Sequence, residues 1–238
     1  MTGIDFREHA FTAPRERRSL LLTVLQSLVA VDQDMRVLDL GCGTGTQLLD
    51  VAAAFPRAIC VGLDISPRSI ESARMQAGAC GGRVQFHCAD YMTFDIEPFD
   101  IILADSVLQN IAGSTEALAR KLGNDLSPGA RLIASLPYDG WYNRLLWAGR
   151  RVLQRFRSPA LERMVLAAAK VVHSGWPDSL LRERIPYLYL LPERIDGPAL
   201  RERLRVAGGL AVEKELPMPH ASISQPRHRL VIFRKTTA

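Results

Sequence analysis

The sequence lacks the features of a membrane or secreted protein. Its longest apolar stretch, residues 20–31, is interrupted by Thr23, Gln26 and Ser27 and is too short to span a bilayer. No positively charged start with an apolar core and a small-residue cleavage site opens the chain. The four cysteines form no Cys-x-x-Cys pair. We therefore expect reduced thiols and a cytoplasmic location.

Several motifs of nucleotide-dependent and metal-dependent enzymes are also missing. Thr46 stands where Gly-x-Gly-x-x-Gly would need its last glycine, and no lysine follows the glycines as it does in a phosphate-binding loop. The cysteines have no histidine cluster at zinc spacing, and Asp105 has no evident partner carboxylate for magnesium. No metal site is predicted.

Charge is distributed unevenly along the 238 residues. Residues 1–136 carry 12 Lys+Arg against 16 Asp+Glu, residues 137–195 carry 10 against 5, and residues 196–238 carry 8 against 4. A chain with a formal net charge of +5 therefore has an acidic front half and a basic back half. This asymmetry bears on the kind of substrate that the back half would meet.

Apolar runs and helical periodicities alternate over most of the chain. Such alternation predicts an α/β fold in which a doubly wound, mostly parallel, seven-stranded sheet has helices on both faces. A turn is predicted at residues 127–129. The predicted strands are 36–40, 59–64, 84–88, 99–104, 131–136, 210–216 and 229–233, and the predicted helices are 13–31, 47–54, 67–77, 114–126 and 198–206.

The alternation is interrupted after the fifth strand. Helical patterns occupy residues 142–156, 160–172 and 178–185, and residues 187–191 form an ambiguous strand. We therefore divide the chain into a core that begins with an N-terminal helix (1–136), a helical substrate-binding insertion (137–195) and a last unit that completes the core (196–238). Material inserted after a strand of a doubly wound sheet lies over the ligand site.

A glycine-rich segment, VLDLGCGTG at residues 37–45, joins the first predicted strand to the next helix. Alternate glycines let the backbone turn sharply and approach a ligand, and the helix that follows presents free N–H groups. The pattern Asp39-x-Gly41-x-Gly43-x-Gly45 resembles motif I of the class I S-adenosylmethionine (SAM)-dependent methyltransferases. The resemblance extends over nearly the whole chain apart from the insertion.

That resemblance implies SAM as the cofactor and S-adenosylhomocysteine (SAH) as the product. Asp64, at the end of the second strand, would accept hydrogen bonds from the ribose hydroxyls. Asp90, after the third strand, would lie near the adenine amino group, and residues 104–108 would line the methionine end. The predicted cofactor-binding residues are Asp39, Gly41, Cys42, Gly43, Gly45, Asp64, Ile65, Asp90, Tyr91, Asp105 and Ser106.

The loop at residues 105–111 (DSVLQNI) resembles that of the small-molecule branch, although Asn110 stands where those enzymes often have histidine. We expect methylation of a small aromatic or apolar metabolite, with O-methylation favoured and N- or C-methylation open. One alternative is an RNA methyltransferase, against which stand a missing amino-methylation motif and the absence of cysteine beyond Cys88. The other is a SAM-binding protein without methyl transfer. The expected partners are a small-molecule substrate and a second copy of the chain, and not nucleic acid.

A catalytic base is needed only where the acceptor is protonated at neutral pH. No residue is assigned this role. The candidates are Tyr138, which follows the fifth strand, His173, which ends a helix of the insertion, and His9 in the N-terminal segment. The resemblance implies that this segment, with its first helix, folds over SAM as a lid. His220 and the tyrosines at positions 142, 187 and 189 are further polar groups of interest.

The first helix of the insertion combines an apolar face with a basic face. Trp141, Leu145, Val152 and Phe156 share one face, while residues 144, 151 and 155 are arginines on another. One interpretation is a buried core face opposite a solvated face. The other is a lid whose aromatic side contacts an apolar acceptor and whose arginines meet an anion on a substrate, a carrier protein or a lipid surface.

Overall fold

The computed structural model describes residues 10–78, 82–175, 177–178, 181–182, 185–219 and 224–236. The helices are α1 (Arg15–Leu28), α2 (Thr46–Ala54), α3 (Pro67–Ala77), α4 (Thr115–Asn124), α5 (Trp141–Arg155), α6 (Pro159–Val172) and α7 (Pro198–Gly208). The strands are β1 (Met35–Leu40), β2 (Ala58–Asp64), β3 (Val84–Cys88), β4 (Phe99–Asp105), β5 (Leu126–Pro137), β6 (Leu210–Pro217) and β7 (His228–Lys235). Two 3-10 turns lie at Leu108–Asn110 and Ile185–Tyr189.

All seven strands form one sheet in the order β3-β2-β1-β4-β5-β7-β6. The first five are parallel, and β7 pairs antiparallel with both β5 and β6. The order reverses between β1 and β4, which is where doubly wound sheets open a ligand crevice. His228, the first residue of β7, pairs with Pro137, the last of β5. The start of β7 therefore lies at the edge where the parallel strands end, and the predicted fold class is confirmed.

Local sequence explains where several helices begin. Ser66 and Ser158 precede prolines, and each side-chain oxygen accepts a hydrogen bond from the backbone N–H three residues later. Ser114 caps α4 in the same way. A serine cap satisfies a backbone donor that the helix leaves open, and proline at the first helical position has no such donor to lose.

Two apolar layers hold the helices against the sheet. One lies under α1, α2 and α3 and includes Leu25, Phe55 and Ile70. The other lies under α4 and α7 and includes Leu122 and Leu204. Among the described residues, no helix is both long and apolar enough to cross a membrane.

Some predicted boundaries were wrong. Residues 127–129 are the first part of β5 rather than a turn, because Leu126 already pairs with Phe99 and a register shift accommodates the extra residues. The ambiguous strand at 187–191 is instead the 3-10 turn at Ile185–Tyr189. The predicted helix 178–185 falls partly outside the described residues.

Helix α5 buries a different face from the one that its apolar stripe suggests. Trp141 is 73% exposed and Phe156 is 65% exposed, and Leu145 and Val152 are exposed as well. The buried positions are Asn143, Trp147 and Arg150. Asn143 explains part of this orientation, since its amide donates to the Tyr138 carbonyl and accepts from the Arg227 N–H. The interpretation of the stripe as a core face is therefore wrong.

Candidate active site

A cavity of about 640 Å³ opens at the edge where the parallel strands end. That volume is typical of a small-molecule site. Its walls come from α1, the loops after β1, β2, β3 and β4, the insertion and the start of β7. The lining residues include Phe11, Pro14, Arg17, Gly41, Leu63, Asp64, Ile65, Asp90, Tyr91, Asp105, Ser106, Val107, Gln109, Asn110, Ile111, Pro137, Arg150, Leu188, Leu190, Pro192, Ser224, Pro226 and His228.

The glycine loop is held open by contacts with β2. The N–H groups of Gly41 and Cys42 both donate to the Leu63 carbonyl, at 2.7 and 3.0 Å. Gly41 has φ +71°, and a Cβ there would lie 2.7 Å from the Val107 side chain. Substitution at this position would therefore both strain the backbone and clash with the loop after β4. Gly41 lines the cavity with its backbone.

The segment before α1 packs directly on the glycine loop. The Thr44 N–H donates to the Phe11 carbonyl at 2.8 Å, and a Cβ on Gly43 would lie 2.1 Å from that same oxygen. Phe11 and Pro14 also line the cavity. The described end of the N-terminal segment thus covers the loop, whereas His9 lies outside the described residues.

Asp64 connects the end of β2 to the glycine loop. One carboxylate oxygen accepts from the Gly43 N–H at 2.9 Å, and the other accepts from the Ser66 N–H at 2.8 Å. Burial raises the pKa of Asp64, and the backbone N–H bonds oppose that rise. Each carboxylate oxygen has a second lone pair, so the group retains acceptor capacity toward the cavity. That capacity fits a pair of vicinal ribose hydroxyls.

Two predicted residues after β3 also reach the cavity. Asp90 is exposed there, and its carboxylate accepts from the Met92 N–H at 2.9 Å. Tyr91 is buried, with the ammonium of Lys121 4.8 Å from its ring centroid. Asp90 therefore offers an acceptor to a ligand amino group, and Tyr91 offers an aromatic wall.

Beyond β4, a buried ion pair organises the opposite side of the cavity. The guanidinium of Arg17 from α1 donates to both carboxylate oxygens of Asp105, and also to the hydroxyls of Ser106 and Ser135 at 2.7 Å each. Burial would raise the pKa of Asp105, but Arg17 outweighs it and the pKa is lowered. Asp105 is thus an ionised group whose charge Arg17 neutralises.

Ser106 has a left-handed backbone, with φ +60°, at the end of β4. Its N–H donates to the Ser135 hydroxyl at 3.0 Å, and its own hydroxyl contacts that of Ser135 at 3.2 Å. A non-glycine residue adopts this conformation only where its surroundings hold it. The strain marks this loop as part of the site rather than a plain connection.

Arg150 and His228 complete the wall next to the insertion. Arg150 donates to the carbonyls of Leu190 and Ser224, at 2.7 and 2.9 Å. Burial lowers the pKa of His228 to about 3, and the nearby Arg17 adds to that effect. His228 is therefore a neutral imidazole at physiological pH.

The predicted site residues divide into two groups. Gly41, Asp64, Ile65, Asp90, Tyr91, Asp105 and Ser106 line the cavity. Asp39, Cys42, Gly43 and Gly45 are not among its lining residues. Asp39 is buried behind the loop, where it accepts from the Gln47 amide at 3.2 Å and burial raises its pKa. The Cys42 side chain packs into the apolar core, so both residues would act on a ligand through the loop.

Of the three candidate bases, the two that the structure describes do not line the cavity. Tyr138 does not line it, because its ring lies under the guanidinium of Arg229 at 5.0 Å. His173 ends α6 and is likewise absent from the lining. The lining residues that the sequence did not single out for the site include Arg17, Arg150 and His228, which carry ionisable side chains. An arginine at a core-facing position of α1 was the one sequence signal for Arg17; His228 had none.

The chain is similar in sequence to known SAM-using enzymes over about half of its length. A family model described as a methyltransferase domain matches residues 31–163. Trans-aconitate 2-methyltransferase of Methylobacterium radiotolerans is 34% identical over 134 residues, which is 56% of this chain and 50% of that protein. Carboxy-S-adenosyl-L-methionine synthase of Helicobacter hepaticus is 33% identical over 122 residues, half of each chain. The chain spans half or less of the length of the trans-aconitate relatives that it matches first.

A solved structure shares the fold. The N-methyltransferase NodS from Bradyrhizobium japonicum WM9, in complex with SAH, superposes with a TM-score of 0.58 at 18% identity and covers 93% of this chain and 86% of that one. At this level of identity the likeness concerns the fold alone.

Proposed function

The chain belongs to the methyltransferase domain family, and on that premise we propose that it transfers the methyl group of SAM to a small molecule. The observation that carries this proposal is Asp64, which bonds the Gly43 N–H and lines a cavity together with Gly41 and Asp90. Bound SAM supplies a methyl group on a sulfonium, which an acceptor attacks in line.

The residues present fit such a cofactor. The backbone at Gly41 leaves space that any side chain would close, and Asp64 and Asp90 face the cavity from neighbouring strand ends. In this proposal Asp64 binds the ribose hydroxyls, Asp90 accepts from the adenine amino group, and the strained loop at Ser106 lines the methionine end. Cys42, Gly43 and Gly45 shape the loop rather than contact the ligand through side chains.

The acceptor would bind beside Arg17 and the insertion. Holding both reactants in line lowers the activation free energy by roughly 7–11 kcal/mol without any catalytic group. The low pKa of His228 makes it a poor base at neutral pH. We therefore favour O-methylation of an oxygen that is already ionised, since such an acceptor needs no base.

Calorimetric titration with SAH, followed by a crystal structure of the complex, tests the proposal. We expect binding, with the ribose hydroxyls on Asp64 and the sulfur facing the cavity between Ser106 and Arg150. A failure of SAH to bind, or a ribose away from Asp64, would overturn it. Trans-aconitate is the first acceptor to assay, because two relatives named as its methyltransferases are 34–35% identical over about half of this chain.

One observation favours a second reaction. A matched relative is named carboxy-S-adenosyl-L-methionine synthase, so a SAM-using reaction without methyl transfer is the alternative. Mass spectrometry of the turnover products separates the two. Methyl transfer releases SAH, whereas the alternative releases no SAH and yields a carboxylated SAM.

A further inference from the structure

Arg150 is a buried cation that the cavity wall leaves without an acidic partner. Its residue exposure is 7%, it lines the cavity, and among the described residues it forms no salt bridge. Two of its five N–H groups donate to the carbonyls of Leu190 and Ser224. Burial lowers its pKa to about 10, so the guanidinium is still charged at neutral pH. Three donors and the positive charge therefore have no partner among the residues that the structure describes.

Two other buried arginines differ from Arg150, because neither of them presents an unneutralised charge to the cavity. Arg17 also lines the cavity, but Asp105 neutralises it through two hydrogen bonds. Arg194 donates to the carbonyls of Leu108, Ile111 and Gly113, but it is absent from the cavity lining. Arg194 therefore stabilises the loop after β4 through backbone carbonyls, whereas Arg150 presents its unneutralised charge to the cavity. Burying an unpaired charge is costly unless a ligand compensates it.

His228 stands close enough to Arg150 and Arg17 for both to lower its pKa, while Asp105 and the Pro226 carbonyl act in the opposite sense. Neither of its buried ring nitrogens has a hydrogen-bond partner of normal geometry among the described residues. A neutral imidazole has one N–H to donate. His228 thus adds a polar ring, with no hydrogen bond of normal geometry, beside the unneutralised arginine.

The surrounding wall is apolar. Ile111, Leu188, Leu190, Pro192 and Pro226 line this part of the cavity. In the sheet, β2 and β7 are separated by four interstrand steps, which places His228 roughly 19 Å from the Asp64 side of the site. The basic end and the acidic nucleoside end are therefore separate subsites.

We propose that Arg150 and His228 form a carboxylate receptor, and that the methyl acceptor is an apolar or aromatic molecule with one carboxylate. This inference rests on the proposed function. A single unneutralised guanidinium matches a monoanion, and its planar donor fork matches a carboxylate. A phosphate monoester is a dianion and would need a second free cation.

Matched probes test the proposal on the SAH complex. We would titrate cinnamate, its neutral amide and phenyl phosphate by calorimetry into the wild type and into Arg150→Gln. Cinnamate should bind the wild type at least about tenfold more tightly than the amide or the phosphate, since the pairing is a charge-assisted bond worth roughly that factor. Arg150→Gln should abolish the preference and leave SAH affinity unchanged. Arg151→Gln, one residue away on the exposed side of α5, is the control that keeps it.

The outcomes separate the two proposals. The carboxylate receptor is overturned if the wild type binds cinnamate and its amide equally, or binds neither. It is also overturned if the preference for cinnamate survives in Arg150→Gln. Loss of SAH binding by the wild type contradicts the proposed function instead. If Arg150→Gln does not fold, His228→Leu keeps both bonds from Arg150 to the carbonyls. That variant should reduce the acid preference severalfold, and an unchanged preference would count against the receptor.

Discussion

The two ends of the cavity are built in different ways. The proposed nucleoside end consists of backbone and carboxylates from three neighbouring strand ends, with Gly41, Asp64 and Asp90 all within 50 residues of sequence. The basic end brings together Arg17, Arg150 and His228, which are separated by up to 211 positions in the chain. One end is therefore a local motif, and the other exists only after the insertion and β7 have packed together.

The ion pair between Arg17 and Asp105 joins the two ends, and removing its cation should have the largest effect. Arg17→Met leaves Asp105 charged and buried without its cationic partner, so we expect about 3–5 kcal/mol less stability at neutral pH by chemical denaturation. Arg15→Met, at an exposed position on the same helix, is the control. The double variant Arg17→Met/Asp105→Asn should recover much of the loss, and no recovery would show that Arg17 stabilises the fold mainly by other contacts.

This pair also gives the sign of a pH effect. Arg17 holds the folded-state pKa of Asp105 below its ordinary value, so its contribution is present above about pH 4 and is lost as the pH falls through the folded pKa. Without Arg17 that contribution disappears. The stability of Arg17→Met should then differ least from wild type in acid, as denaturation measured across pH would show.

At the nucleoside end, Asp64→Ala should weaken SAH binding by a factor on the order of one hundred. The variant loses two charge-assisted hydrogen bonds to the ribose and releases the Gly43 N–H. Asp95→Ala, an exposed carboxylate with the same charge change, should bind SAH normally. Calorimetry measures both, and near-equal affinities would mean that the nucleoside lies elsewhere.

At the basic end, His228 should destabilise the fold in acid. Its folded pKa of about 3 lies below the ordinary value of 6.5, so stability is lost as the pH falls from 6.5 toward 3. His228→Gln removes this term and should resist acid better, by roughly 2 kcal/mol at pH 5 relative to its own stability at pH 7.5. A wild type and variant with parallel pH profiles would show that the imidazole becomes charged in the fold.

The smallest effect is expected on the outer face of the insertion. Trp141→Ser removes a side chain that is 73% exposed, so stability should change by no more than about 0.5 kcal/mol. Trp147→Ala, on the buried face of the same helix, should cost about 3–5 kcal/mol. Denaturant titration of both variants checks which face packs, and a large loss for Trp141 would restore the opposite orientation.

Much of the core was predictable because each signal is local. Alternating apolar runs gave the strands in the right order, and the glycine loop with Asp64 and Asp90 follows from residues at successive strand ends. The boundaries of β5 were less accurate, since Pro128 and Gly129 indicate a turn unless the pairing with β4 is known. The 3-10 turn at 185–189 could not be predicted either, because a short apolar run does not distinguish a strand from a turn.

The sequence by itself determined a doubly wound sheet and the glycine turn after its first strand, because alternating apolar runs and a tight glycine turn are each encoded over a few neighbouring residues. Only the tertiary structure decided which face of α5 is buried. There, hydrogen bonds from Asn143 and Arg150 to backbone carbonyls outweigh an apolar stripe, and periodicity contains no information about such distant partners. The same packing placed Arg150 beside His228 with no acidic partner among the described residues, and it is this juxtaposition that gives the basic end its proposed ligand.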